Sequence, residues 1–270
     1  MKAKNIKHWL FHSRSGKLLT ALLSVALWLI VWQLAAQRMN QHLLLPAPIT
    51  VARRLGELVI TKNFWQYTLR SLLRVIGGIV TGVGIAVLVS ALTAAFRPVE
   101  ILLSPVISVI KSTPVASFII LAMLWIADDI LPVFISFLMV FPVVWANLHT
   151  ALRSIPDPYH DLSRIYRLPL GRRIRRIYAP YALPYFLSAC RSSLGLAWKA
   201  GIAAEVIALP ALSIGKQLNE SKLYLETIDL FAWTVVVVLL SITLETLAKL
   251  AFSRLQKAND HRTEAKEESV

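Results

Sequence analysis

An all-α, polytopic membrane protein is the fold class this sequence predicts, and three observations predict it. Hydrophobic residues make up 56% of the 270 and charged ones only 16%, where a soluble domain carries about a quarter charged. The apolar residues gather into six runs near bilayer-crossing length, which is about 20 residues each. The net charge of +14 would suggest a nucleic-acid partner in a soluble chain. Here the basic residues fall in alternate connecting segments, the pattern that orients a membrane protein.

The six runs are 18–36, 72–96, 101–126, 130–150, 184–209 and 228–252. The first is too long, and too poor in a small-residue cleavage site, for a simple signal peptide. With the N-terminus inside, the inner segments 1–17, 97–100, 151–183 and 253–270 hold 17 Lys and Arg, against 7 in the outer segments. Both termini are therefore expected on the cytoplasmic side of the membrane. The expected organisation is a cytoplasmic basic tail (1–17), a transmembrane domain (18–252) interrupted by a long inner loop (151–183), and a cytoplasmic tail (253–270) disordered at its end.

After the first run, Leu45-Pro46-Ala47-Pro48 predicts a stiff turn. Thr50 then caps an amphipathic helix through Val51, Leu55, Leu58 and Val59, lying on the outer surface with Trp65 and Tyr67 as interfacial aromatics. In the second run Gly78 and Gly82 have the GxxxG spacing that lets two helices approach closely. The third run carries Lys111-Ser112-Thr113-Pro114. Pro114 removes a backbone hydrogen bond, and the Ser112 and Thr113 hydroxyls can re-satisfy the freed groups. Lys111 either lines a pathway or snorkels to the interface. Asp128 and Asp129 read as a solvated turn before the fourth run.

The loop 151–183 is a polar island between two apolar runs, with seven arginines. Asp157-Pro158 reads as a helix start. Tyr159, Leu162, Ile165 and Tyr166 recur three or four apart and share a face. Leu168-Pro169 ends that helix, and a second short one places Ile174, Ile177, Tyr178 and Tyr181 opposite the arginines. In the fifth run Glu205 sits within GIAAEVIAL, near Arg191 and Lys199. An intramembrane carboxylate marks either a substrate contact or a structural ion pair. Lys111 or Lys199, from another helix or a second copy, is its expected partner.

Catalytic machinery is missing from the pattern. Cys190 is the lone cysteine, and the six histidines form no metal-binding spacing. The fragment Ile214-Gly215-Lys216-Gln217 has Pro210 where a phosphate-binding loop needs its first glycine and Gln217 where it needs a hydroxyl. Neither an enzyme nor a cofactor is expected.

The inner loop resembles the "EAA" coupling loop of binding-protein-dependent ABC importer permeases, with the pattern E-A-A-x3-G-x9-I-x-L-P. Counting back from Ile177-Tyr178-Ala179-Pro180, the E-A-A positions fall on Asp161-Leu162-Ser163 and the glycine on Arg167. Leu45-Pro46-Ala47-Pro48, Lys111-Ser112-Thr113-Pro114 with Leu124-Trp125, and Ala204-Glu205-Val206 resemble further stretches of the nitrate/sulfonate/taurine branch of type I permeases. The resemblance implies a permease subunit with its ATPase on a separate chain, an extracytoplasmic binding protein, and a pair of permeases, most simply a homodimer, in the bilayer. It assigns ATPase coupling to Tyr159, Asp161, Leu162, Ser163, Ile165, Tyr166, Arg167 and Gly171. The translocation path falls to Lys111, Ser112, Thr113, Pro114, Lys199 and Glu205. The implied cargo is a small anion such as a sulfonate, taurine, nitrate or bicarbonate. A thiamine-precursor-like solute and an ion-coupled secondary transporter are the alternatives. The arginine in place of the family glycine implies a kink made differently, by Leu168-Pro169 and Gly171.

Overall fold

A computed structural model describes residues 14–39 and 44–267, so most of the basic tail lies outside the described residues. Every regular element among them is helical: α1 (Arg14–Met39), α2 (Pro48–Ile60), α3 (Lys62–Ala95), α4 (Arg97–Ser112), α5 (Val115–Ala122), α6 (Leu131–Arg153), α7 (Asp157–Ile165), α8 (Leu170–Arg173), a π-helical turn (Ile174–Tyr178), α9 (Ala179–Ala208), α10 (Ile214–Leu223) and α11 (Thr227–Glu267). An all-helical chain is what lipid demands, because a helix satisfies its own backbone polar groups where no water can.

Within α1, α3, α6 and α11 lie four segments long and apolar enough to cross a membrane. The expected third span is not one helix. It breaks into α4 and α5, bent by 105°, because Pro114 offers no N–H and forces the preceding Thr113 into an extended conformation (φ −82°, ψ 131°). The Ser112 and Thr113 hydroxyls both donate to the Val109 carbonyl, at 3.1 and 2.8 Å, as expected for a broken end. The expected fifth span falls on α9, 30 residues long with Arg191, Lys199 and Glu205 along it, but α9 is not among the segments apolar enough to cross. Four such segments are found, or five if the bent pair is one span, where six were expected. The last helix continues to Glu267, into the tail expected to be disordered at its end.

The chain divides into two compact units, one formed by Met1–Phe64 with Leu218–Val235 and the other by Trp65–Gln217 with Val236–Val270. In the first, Arg54 of α2 makes a two-pronged ion pair with Asp229 (2.6 and 2.9 Å) and reaches Glu57 at 3.0 Å. The Asp229 hydrogen bond, and then that of Glu57, raise the Arg54 pKa above its ordinary value. Phe64 stacks on Trp233 and Trp32 tilts against Phe231. Thr50 lies inside α2 and does not cap it. Ala47 holds the cap position and Pro48 supplies the preset first turn.

In the second unit, α3, α6 and α9 meet through small residues. A Cβ at Gly78 would collide with the Val133 carbonyl and come within 2.6 Å of the Ser136 Cβ, and one at Gly82 would press on Val140. Gly201 faces Ser136 and Val75 equally closely. Ala189, Ala197, Ala200 and Ala204 continue the buried face of α9. Backbones approach this closely only where side chains are small, which in lipid is how helices gain packing energy. The GxxxG expectation is met on α6.

Candidate functional site

Two places in the second unit concentrate the polar chemistry. The first is the elbow between α6 and α9. Its helix α7 begins at Asp157, one residue earlier than the sequence suggests, with Pro156 in the cap position. At its other end the Leu168 N–H donates to the Ser163 carbonyl and the Arg167 N–H to the Arg164 carbonyl, both at 3.0 Å. Arg167 itself has φ 44°. This is the Schellman termination, which places one residue in the left-handed region and usually chooses glycine for it. The kink thus falls at the position of the family's glycine and is made by an arginine. Gly171, by contrast, is helical, and a Cβ there would meet nothing within 4 Å.

The face of α7 is bare. Tyr159, Leu162, Ile165 and Tyr166 are 49, 51, 77 and 70% exposed, while Ser163 is buried at 1%. Asp161 and Arg167 are exposed too. Four large side chains thus lie exposed along one face of this short helix.

The roots of the elbow are pinned. Glu100, in the first turn of α4, pairs with Arg153 and lies 3.1 Å from His149 Nε2. The other ring nitrogen of His149 is 3.0 Å from the Thr93 hydroxyl, which also accepts from Trp145 Nε1 at 3.1 Å. On the far side the Tyr181 hydroxyl donates to the Ser154 carbonyl at 3.0 Å. The expected second short helix is not separate. From Leu170 it runs through a π turn straight into α9, where the Ala179 N–H reaches back to the Ile174 carbonyl. Pro180 would press its ring on a carbonyl in a regular helix, and the wider π turn relieves that clash.

The second place surrounds Glu205, whose side chain is wholly buried. Oε2 accepts from the Ser71 hydroxyl at 2.6 Å and from the Gly215 N–H at 3.2 Å. Oε1 faces Arg74 Nη1 at 3.5 Å. Arg74 also donates to Asp129 (2.5 Å) and to the carbonyls of Ala211 (2.7 Å) and Leu212 (3.3 Å). The first N–H groups of α10 are all engaged: Ile214 by Ser71 Oγ, Gly215 by Glu205, and Lys216 by Ser213 Oγ. A carboxylate at a helix N-terminus is favoured by both the free N–H groups and the dipole.

The expected partner of Glu205 is therefore corrected. It is Arg74, with Ser71 and a helix N-terminus, and neither Lys111 nor Lys199. Those lysines are exposed, as is Ser112, and make no ion pair among the described residues. Sequence spacing cannot reveal Ser71 and Arg74, since they lie more than 130 positions away. The Gly-Lys fragment was the available signal: a Cβ at Gly215 would come within 2.5 Å of the Val206 nitrogen and overlap Glu205.

Residues 78–261, more than half of the chain, match the family described as binding-protein-dependent transport system inner membrane component. The chain belongs to this family. It is accordingly a multi-pass permease of the inner membrane, a transport subunit, and both the elbow and Glu205 lie within the matched segment. The permease is 22% identical over 243 residues to the putative aliphatic sulfonates transport permease protein SsuC of Bacillus subtilis, covering 90% of this chain and 86% of that one. It is 25% identical to the bicarbonate transport system permease protein CmpB of Synechococcus elongatus (79% and 80% covered). To the riboflavin transport system permease protein RibX of Chloroflexus aurantiacus it is 27% identical (84% and 85% covered). The fold is similar to a crystal structure described as an amino acid ABC transporter with histidines, at TM-score 0.51 and 16% identity, covering 70% of this chain and 88% of that one.

Proposed function

We propose that the permease forms the translocation path for a small anion, with ATP hydrolysed on a separate subunit that grips the α7 elbow. The observation that carries this reading is the bare apolar face of Tyr159, Leu162, Ile165 and Tyr166 on a helix whose ends are fixed. An amphipathic helix with such a face fits a groove on a partner. Asp161, Ser163 and Arg167 shape the elbow, and Gly171 leaves room beside it. The elbow lies on the cytoplasmic side with both termini, as the basic-residue distribution supports. Two permeases, as a homodimer, then enclose the path and switch between two packings when the ATPases close.

Anion transport is supported by the relatives named for sulfonates and bicarbonate and by the exposed cations Lys111, Arg191 and Lys199. Lys111 stands at the α4–α5 break with Ser112, Thr113 and Pro114, a discontinuous helix of the kind that lines a path inside a membrane protein. Glu205, enclosed by its partners, holds helices in place beside that path.

The test is uptake into vesicles containing the permease, its ATPase and its binding protein. Labelled taurine, an alkanesulfonate, nitrate, bicarbonate and riboflavin would be offered in turn. ATP-dependent uptake of an anion, unchanged by a protonophore, is expected. Uptake of riboflavin alone would overturn the anion assignment, and uptake that collapses with the proton gradient would overturn the ATPase assignment.

A further inference from the structure

An open groove of about 380 Å³, the size of a ligand pocket, runs beneath the π turn. Val87 and Ala91 of α3, Leu148 of α6, Ile174 and Tyr178 of the turn, and Phe186 of α9 line it. Its wall is nearly all hydrocarbon, and the Ser90 hydroxyl is turned onto its own helix, donating to the Val87 carbonyl at 2.9 Å. The groove lies near the ends of α3 and α6, at Ala95 and Arg153, which is the depth where a membrane passes from acyl chain to headgroup.

The segment that contributes Ile174 and Tyr178 to the groove is strongly basic. Arg172, Arg173, Arg175 and Arg176 sit on α8 and the π turn, and residues 168–178 contain no acid. None of the four makes an ion pair among the described residues. Arg173 Nε is shielded from water and has no hydrogen-bond acceptor. Leaving such a donor unmade is costly, a penalty that a bound oxyanion would remove. Guanidinium groups suit phosphate because their N–H donors match its oxygens in pairs.

We propose that this groove binds one anionic phospholipid, with an acyl chain against Val87, Leu148 and Phe186 and the phosphate on the arginines of the turn. The lipid would wedge the start of α9 against α3 and α6, steadying the elbow from the membrane side. A basic cluster beside an apolar surface at the headgroup level is the chemistry that selects acidic lipid. The leaflet occupied rests on the cytoplasmic placement of the elbow proposed above. Binding itself requires only that the chain lies in a bilayer.

Native mass spectrometry of the purified permease with its ATPase would decide it, after incubation with equal dioleoyl phosphatidylglycerol and dioleoyl phosphatidylcholine. Retention of phosphatidylglycerol is expected to exceed that of phosphatidylcholine by about tenfold. The triple variant R173Q/R175Q/R176Q should bring the ratio near one. Ala91→Phe, which fills the groove from an exposed position, should lower retention of both lipids. Equal retention by the unaltered protein, or a ratio untouched by the arginine variant, would overturn the proposal. So would loss of the ATPase from the arginine variant with its lipid preference intact, since the arginines would then belong to the subunit contact. Lipid retention is read by mass without transport, so failure of the uptake assay leaves this result standing.

Discussion

The elbow at Asp157–Arg167 and the carboxylate at Glu205 are both polar features of one apolar unit, yet they are built in opposite ways. Around Glu205 every strong donor has an acceptor, and the group is closed to solvent. On α7 the backbone is satisfied to the last turn by the Schellman bonds, while its large side chains are left facing outward. A satisfied buried network is rigid and costly to disturb. A bare apolar face on a capped helix is stable in itself and sticky towards something else. Damage at the first should therefore appear as lost fold, and damage at the second as lost partnership.

The largest expected effect tests the first half of that contrast. Glu205→Ala leaves the Ser71 hydroxyl and the Gly215 N–H without their acceptor and takes one partner from Arg74, and breaking a buried pair typically costs about 3–5 kcal/mol. Yield and melting temperature in detergent should both fall sharply, and Glu205→Gln, which keeps an acceptor for Ser71, should fall less. An alanine variant that melts with the unaltered protein would mean that the cluster does not hold the fold. Next comes Gly215→Ala, which pushes a methyl into Glu205 and Val206. Overpacking of this kind costs about 1–3 kcal/mol, read in the same melts. The effect should disappear if α10 docks on α9 less closely than described.

Leu162→Asp probes the other half. It should leave the melting temperature unchanged while weakening ATPase binding by about 2 kcal/mol, roughly 30-fold, and abolish ATP-driven uptake. Full uptake by this variant in vesicles would count against the elbow as the coupling element. The smallest effect is expected at Arg167. Glycine there should slow hydrogen exchange at the Leu168 amide by an amount worth about 1 kcal/mol, since glycine takes the left-handed conformation without penalty. Arg167→Val should speed it, because a β-branched residue tolerates that region worst. Identical exchange in both variants would show that the left-handed turn is not what holds the elbow.

Much of the elbow is legible in the residues because helical periodicity is a local property. Tyr159, Leu162, Ile165 and Tyr166 reveal their common face by spacing alone. The kink was harder to read. Expecting glycine for φ above zero, one looks to Gly171, whereas the hydrogen bonds from Leu168 and Arg167 impose the turn on an arginine. Pro114 announces a break in its run. The 105° bend that follows also depends on where α5 can bury Ile119 and Ala122 against Leu131, Ile135 and Ala204.

By itself, then, the sequence determines that this is a chain of membrane helices, where its apolar runs lie, and which side of α7 is apolar. Each of these follows from residue type and period along a single segment. Only the tertiary structure decides that Glu205 belongs to Ser71, Arg74 and the start of α10, and that Gly78, Gly82 and Gly201 are the points where three helices touch. Those pairings join positions far apart in the chain. They depend on which backbones come close enough to exclude a side chain, and no local pattern encodes that distance.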